Sequence, residues 1–188
     1  MKKDWLPATL LTIVCLVVLN GGYTAIVWGI AQLTPQKGLA ERIKKPDGSF
    51  YYANIAQKFT DDKYFWPRPS AVDYNAAGSA GSNKGPTNPE YLQTVSDRID
   101  SFIAHNPDVP KSQIPSELVT ASGSGLDPNI SPAAAIVQIA RIAKARNVDT
   151  DRIRKLVEQQ IERTIAGIGP DKINVLRLNL QLDGLTRN

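Results

Sequence analysis

The chain has 188 residues, 22 Lys and Arg against 18 Asp and Glu, a net charge of +4, and 42% hydrophobic to 21% charged residues. At roughly 100–200 residues per domain that length holds one domain plus an anchor or tail, and the balance excludes a collagen-like repeat or a disordered acidic chain. No Lys/Arg stripe with interleaved aromatics occurs, so an isoelectric point near 9.2 does not make it a nucleic-acid binder.

Residues 5–36 carry no formal charge, and residues 6–33 form the strongest signal in the chain, centred on Leu10, Leu11, Ile13, Val14, Leu16, Val17, Val18 and Leu19. A bilayer core of about 30 Å needs about 20 helical residues. The run predicts a membrane anchor at 1–36 with a span at about 7–33, Pro7 in the first turn, Trp5 and Trp28 at the interfaces, and Pro35 ending the helix. A cleaved signal peptide is the competing reading, with Lys2 and Lys3 before the run and Gly29-Ile30-Ala31 as the cleavage site. The run exceeds the 7–15 apolar residues of such peptides, which favours an anchor. Asn20, Gly22, Thr24 and Gly29 interrupt the aliphatic pattern, and in lipid such residues mark contact with a partner helix. The single cysteine, Cys15, lies inside the run, so no intramolecular disulfide forms. Lys37, Arg42, Lys44 and Lys45 outnumber Lys2 and Lys3, but long domains translocate largely regardless of charge, so the count does not fix the orientation.

Residues 37–188 read as one soluble domain. A turn at Lys44-Lys45-Pro46-Asp47-Gly48-Ser49 precedes a β-prone run, Phe50-Tyr51-Tyr52, and then an apolar stretch at 55–59. Residues 66–89 are rich in Pro, Gly, Ser and Asn without periodicity, which marks a functional or disordered loop. Asn88 caps a helix with Pro89 at its first position, and Tyr91, Leu92, Val95, Ile99, Phe102 and Ile103 give it an apolar stripe to about Ala104. Val119-Thr120-Ala121 is a strand candidate. Ser131 and Pro132 open a second helix to about Arg146. Asp149 or Thr150 opens a third, with Ile153, Leu156, Val157, Ile161 and Ile165 on one face, ending at Gly167 or Gly169-Pro170. Leu176, Leu178, Leu180 and Leu182 alternate with Arg177, Asn179, Gln181 and Asp183, which predicts a strand with one buried face. The order of strands and helices makes the domain α+β or α/β.

Chemistry is sparse. His105 is the only histidine and reads as a helix-end residue, so a Cys/His zinc site is excluded. The loop at 122–127, just before a helix, suits an anion at free N–H groups. It lacks the G-x-x-x-x-G-K-[ST] phosphate loop, and Ser122 stands where a G-x-S-x-G elbow needs glycine. Its ordinary role is a turn, with Ser124 and Asp127 capping local backbone. Tyr64, Trp66 and Arg68 lie in an aromatic–proline run that suits a protein interface or an arginine stacked on Trp66 within the domain. Asp61, Asp62, Asp149 and Asp151 read as solvated loop and cap residues. The candidate loop residues are therefore Tyr64, Trp66, Arg68, Ser122, Ser124 and Asp127, with no catalytic or metal residue. A ligand-binding or hydrolase domain built on 122–127 stands as the alternative.

The single span, the runs 64–71, 81–89 and 119–132, and Asn174-Val175-Leu176-Arg177-Leu178-Asn179 together resemble the C subunit of the bacterial Kdp potassium-transporting P-type ATPase over nearly the whole chain. Asn129 departs from the family by standing where histidine is expected, and residues 36–60 match loosely. The resemblance implies a non-pumping accessory subunit that assembles and stabilises the complex and acts as a catalytic chaperone raising the ATPase subunit's nucleotide affinity. It implies three partners: a channel-like K+-selecting subunit, a P-type ATPase subunit and a very small single-span subunit. ATP, Mg2+ and K+ then belong to the complex rather than to this chain. The location it implies is the bacterial cytoplasmic membrane, with the soluble domain on the outer face.

Overall fold

An apolar helix runs without a break from Trp5 to Gln32 in the computed structural model, which describes residues 4–45, 48–164 and 169–185. Its 28 residues have a mean hydropathy of 2.1 in their most apolar window. At 1.5 Å per residue it is about 42 Å long, enough to cross a 30 Å bilayer core with a turn or more at each end. Two α-helical stretches, α1 (Trp5–Cys15) and α2 (Tyr23–Gln32), flank a π-helical segment at Leu16–Gly22. That wider winding coincides with Asn20, Gly21 and Gly22, three poor helix formers in a row. The helix stops at Gln32, three residues before Pro35. There the Thr34 hydroxyl donates to the Ala31 carbonyl at 2.7 Å and accepts the Gly38 N–H at 3.0 Å, closing a turn.

The chain divides into two compact units between Phe50 and Tyr51. Two short strands, β1 (Arg42–Lys44) and β2 (Phe50–Tyr52), form a two-stranded sheet. Pro46 and Asp47 of the expected turn lie outside the described residues, as do Lys2 and Lys3. The turn's flanks close through a 2.8 Å Lys45–Ser49 backbone hydrogen bond.

In the second unit α3 (Pro89–His105) begins as expected: the Asn88 side chain accepts the Tyr91 N–H at 3.0 Å with Pro89 at the first position. The expected strand at 119–121 is not formed. A 3-10 turn at Ser116–Leu118 occupies its approach, and the Ser116 carbonyl accepts the N–H groups of Val119 and Thr120, so these β-prone residues finish a turn. The strand lies later, at β3 (Asn129–Ile130). The single helix expected to run to Arg146 is broken at Val137 and Gln138 into α4 (Pro132–Ile136) and α5 (Ile139–Arg146). Asn147 ends α5 at φ 53°, a left-handed cap. Asp149 caps α6 (Thr150–Gln159), which buries Ile153, Leu156 and Val157. Ile161 falls past its end, beside the bridge between Glu162 and Lys172; Ile165 and Gly167 lie outside the described residues.

The largest departure is at 176–182. After β4 (Ile173–Asn174), antiparallel to β3 with Asn129 opposite Asn174 and Ile130 opposite Ile173, the chain turns into a helix, α7 (Val175–Leu185), and not a strand. Val175, Leu178, Asn179 and Leu182 share its buried face at i, i+3, i+4 and i+7. Asn179, polar but only 1% exposed, masks that period, while half-buried Leu180 completes a false alternation. The core gathers Phe65, Phe102, Ile130, Ile139, Ile142, Ile153, Val157, Ile173, Leu178 and Leu182 from α3 to α7 and the 60–70 segment. Observed architecture and expectation agree on the class, an apolar N-terminal helix followed by a small mixed α+β domain.

Because Leu182 is fully buried and Gln181 exposed, Leu182→Ala should cost about 2–5 kcal/mol in chemical denaturation of the full-length chain. Gln181→Ala should stay within about 0.5 kcal/mol.

Candidate functional site

Residues 61–74 run without regular secondary structure and enter the core at Phe65 and Pro67, where side chains meet the backbone groups of Phe65 and Trp66. The Asn179 amide takes both groups of Phe65, accepting its N–H at 2.8 Å and donating to its carbonyl at 3.0 Å. Gln138, fully buried at the break between α4 and α5, does the same for Trp66, at 2.8 and 3.3 Å. Each amide copies the donor–acceptor pair of a neighbouring strand, so the backbone groups of Phe65 and Trp66 are paired where the loop enters the interior. Phe65, fully buried, is the apolar anchor between the two clamps.

Two arginines fix the adjoining residues. Arg141 is 7% exposed and donates to the Asn106 side-chain oxygen, the Asp62 carbonyl and the Gln138 side-chain oxygen, at 3.1, 2.6 and 2.8 Å. Its guanidinium lies 4.3 Å from the Trp66 ring centroid. The arginine stacked on Trp66 is thus Arg141; Arg68 pairs instead with Asp127 at 3.0 Å. Burial draws Arg141 down to about 10, with the Asp62 and Asp61 carboxylates opposing, and it stays protonated at neutral pH. Arg146 donates to the Lys63 carbonyl at 2.6 Å and to Asp183 at 2.7 Å, and lies over the Tyr64 ring, whose hydroxyl also donates to Asp183. His105 sits 2.7 Å from an Asp62 oxygen and meets Trp66 edge-on at 4.9 Å.

The second loop, 122–127, folds onto the first. The Ser122 N–H donates to the Pro69 carbonyl, and the Ser70 hydroxyl donates to the Gly125 carbonyl at 2.6 Å while accepting the N–H groups of Val72 and Tyr74. Gly125 has φ +66°, and a Cβ there would meet the Ala80 carbonyl oxygen and Val72 Cγ2 at 2.8 Å each. The Ser124 hydroxyl accepts the Leu126 N–H, and Asp127 accepts the Asn129 N–H. Burial pushes the Tyr74 phenol up to about 12, so its hydroxyl stays a donor, to the Arg68 carbonyl at 2.8 Å. Arg68 Nε is buried without a hydrogen-bond partner. The structure thus brings Tyr64, Trp66, Arg68, Ser122, Ser124 and Asp127 into one interlocked pair of loops.

Two clefts open beside this framework. One, about 460 Å3, lies between Asp62, His105, Asp108, Arg141 and Lys144; the other, about 350 Å3, is lined by Phe59, Trp66, Pro67, Tyr74, Arg98 and Phe102. Among the described residues no group of three His, Cys, Asp or Glu side chains gathers as for a metal. In the first unit, Asn20 and Gly22 lie in the π-helical segment and Thr24 and Gly29 in α2; Asn20, Gly22 and Thr24 are exposed and Gly29 is half-buried. The decisive residues Gln138, Arg141, Arg146 and Asn179 escaped sequence reasoning. Their one signal was a polar side chain on an apolar helix face, such as Arg141 between Ile139 and Ile142.

The family model described as "K+-transporting ATPase, c chain" matches residues 5–184. A potassium-transporting ATPase KdpC subunit of Flavobacterium johnsoniae is 50% identical over 175 residues, 93% of this chain and 94% of that one. KdpC subunits of Bacteroides fragilis and Geobacter metallireducens are 44% and 46% identical, each covering 97% of this chain and 98% of its own.

Gln138→Leu should destabilise the full-length chain by about 3 kcal/mol or more in denaturant titration, since each buried group it leaves unpaired costs about 1–3 kcal/mol. Gly125→Ala should also destabilise it, by more than the roughly 1 kcal/mol a compatible glycine site would gain.

Proposed function

The chain belongs to the KdpC family, the c chain of K+-transporting ATPases, and from that footing we propose that it is the accessory subunit that assembles and stabilises the potassium-uptake complex. Residues 1–36 anchor it in the bacterial cytoplasmic membrane, and residues 37–188 form the soluble domain on the outer face. Its partners are the channel-like K+-selecting subunit, the P-type ATPase subunit and the very small single-span subunit. The observation that carries this reading is a 28-residue apolar helix joined to a domain whose candidate loops spend their polar groups on one another. Ser124 holds the Leu126 N–H and His105 is paired with Asp62, so the loop geometry favours a scaffold over the hydrolase alternative.

The anchor's contact with the channel-like subunit runs through Asn20, Gly22, Thr24 and Gly29. An amide exposed on an apolar helix lacks a hydrogen-bond partner among the described residues, and a neighbouring helix supplies one. In the same reading, the effect on nucleotide affinity reaches the ATPase subunit through the assembled complex, since ATP binds on the opposite side of the membrane.

Asn20→Leu should weaken co-purification of the complex by about threefold to tenfold, the scale of one interhelical hydrogen bond. Gly22→Leu should loosen it further: the nearest atom to a Cβ there is the Val17 carbonyl oxygen at 3.9 Å, so the isolated helix accepts the side chain and only a partner would object. Unchanged co-purification of both variants rejects the contact. Ser124→Ala should preserve the K+-stimulated ATPase of the complex; abolished turnover would favour the enzyme reading instead.

A further inference from the structure

Beyond the span, the first unit carries a second feature suited to a membrane. The turn closed by Thr34 brings Gly38, at φ +75°, against the last turn of α2: a Cβ at Gly38 would sit 2.9 Å from the Ala31 Cβ. Arg42 follows only four residues later, at most about 14 Å of extended chain. Strand β1 is therefore tethered near the end of the apolar helix, within reach of a headgroup layer roughly 5–8 Å thick per leaflet.

Along β1, Arg42 and Lys44 are exposed and share one face, with Ile43 turned the other way. The Arg42 guanidinium lies 5.2 Å from the ring centroid of Phe50, which places that aromatic on the same face. Phe50 is 45% exposed, and Leu39, just before the strand, is 62% exposed. Neither Arg42 nor Lys44 has a carboxylate partner among the described residues. Exposed cations beside exposed aromatic and aliphatic side chains match the two requirements of a bilayer interface, charge for the phosphates and apolar surface for the acyl boundary.

We infer that the face of β1 bearing Arg42 and Lys44, with Phe50, docks on the anionic phospholipid headgroups of the bilayer that the helix spans. This rests on the reading of residues 5–32 as a span. The contact fixes the juxtamembrane strand at the membrane surface.

The test is hydrogen exchange of the full-length chain in nanodiscs of phosphatidylcholine alone and of phosphatidylcholine with phosphatidylglycerol. Exchange over residues 40–50 should slow in the anionic discs by at least about threefold and up to about thirtyfold, the latter being the scale of two basic residues at a charged surface. The effect should vanish in 0.5 M NaCl, where the screening length is about 4 Å, and in the Arg42→Gln, Lys44→Gln double variant. Equal exchange in the two lipids overturns the inference. So does slowing that survives both salt and the double substitution. The salt arm needs no variant, so a misfolded variant leaves the test standing. A chain that washes off the discs in alkaline carbonate refutes the span itself, a failure visible before any exchange is measured.

Discussion

Two buried side-chain amides hold the second unit together. A peptide segment drawn through an apolar core brings an N–H and a carbonyl with every residue, and each costs on the order of 1–3 kcal/mol if left unpaired. Sheets solve this with a neighbouring strand, but the pairing among this unit's described residues is short: β3 with β4 over two residues, and a bridge between Glu162 and Lys172. Asn179 and Gln138 solve it instead for Phe65 and Trp66, which lets the Phe65 ring enter the core fully. The break between α4 and α5 belongs to the same arrangement. Gln138 sits at that break, and from there its amide faces the passing segment.

Arg141 depends on that clamp in turn. A buried guanidinium is costly unless its N–H groups are met, and three acceptors meet it here: one from α3's cap, one from the crossing segment and one from Gln138 itself. Trp66, held by Gln138, supplies the aromatic face above the cation. The clamp therefore couples α3, α5 and the 60–70 segment through one polar cluster. Networks of this kind define a single packing, because losing one member strands the others.

The sequence made the long apolar N-terminal helix, the starts of α3, α4 and α6 and their apolar faces legible, because composition, capping residues and helical periods are local. Asn88-Pro89, Ser131-Pro132 and Asp149 each stand where the helix begins. It misread α7 because Asn179 occupies a core position for a reason 114 residues away in the chain, the backbone of Phe65. It misread 119–121 because the Ser116 carbonyl captures two N–H groups that a strand would have used. Of the candidate site, the runs 64–70 and 122–127 were visible as unusual composition. Their mutual hydrogen bonding was not, since no local pattern encodes the pairing of Ser70 with Gly125 or of Arg68 with Asp127.

The two units treat polar groups in opposite ways, and that contrast bears on what a member of this family is for. In the second unit almost every interior polar atom is matched from within the chain, down to carbonyls satisfied by side chains distant in sequence. In the first, Asn20 stands exposed on an apolar helix at a π-helical segment, next to two glycines whose missing side chains leave room at its surface. Lipid cannot hydrogen-bond an amide, and glycine gains nothing from facing it. This contrast, polar groups met from within the chain in one unit and an amide left without a partner among the described residues in the other, is what supports the proposed contact of Asn20 with a second helix.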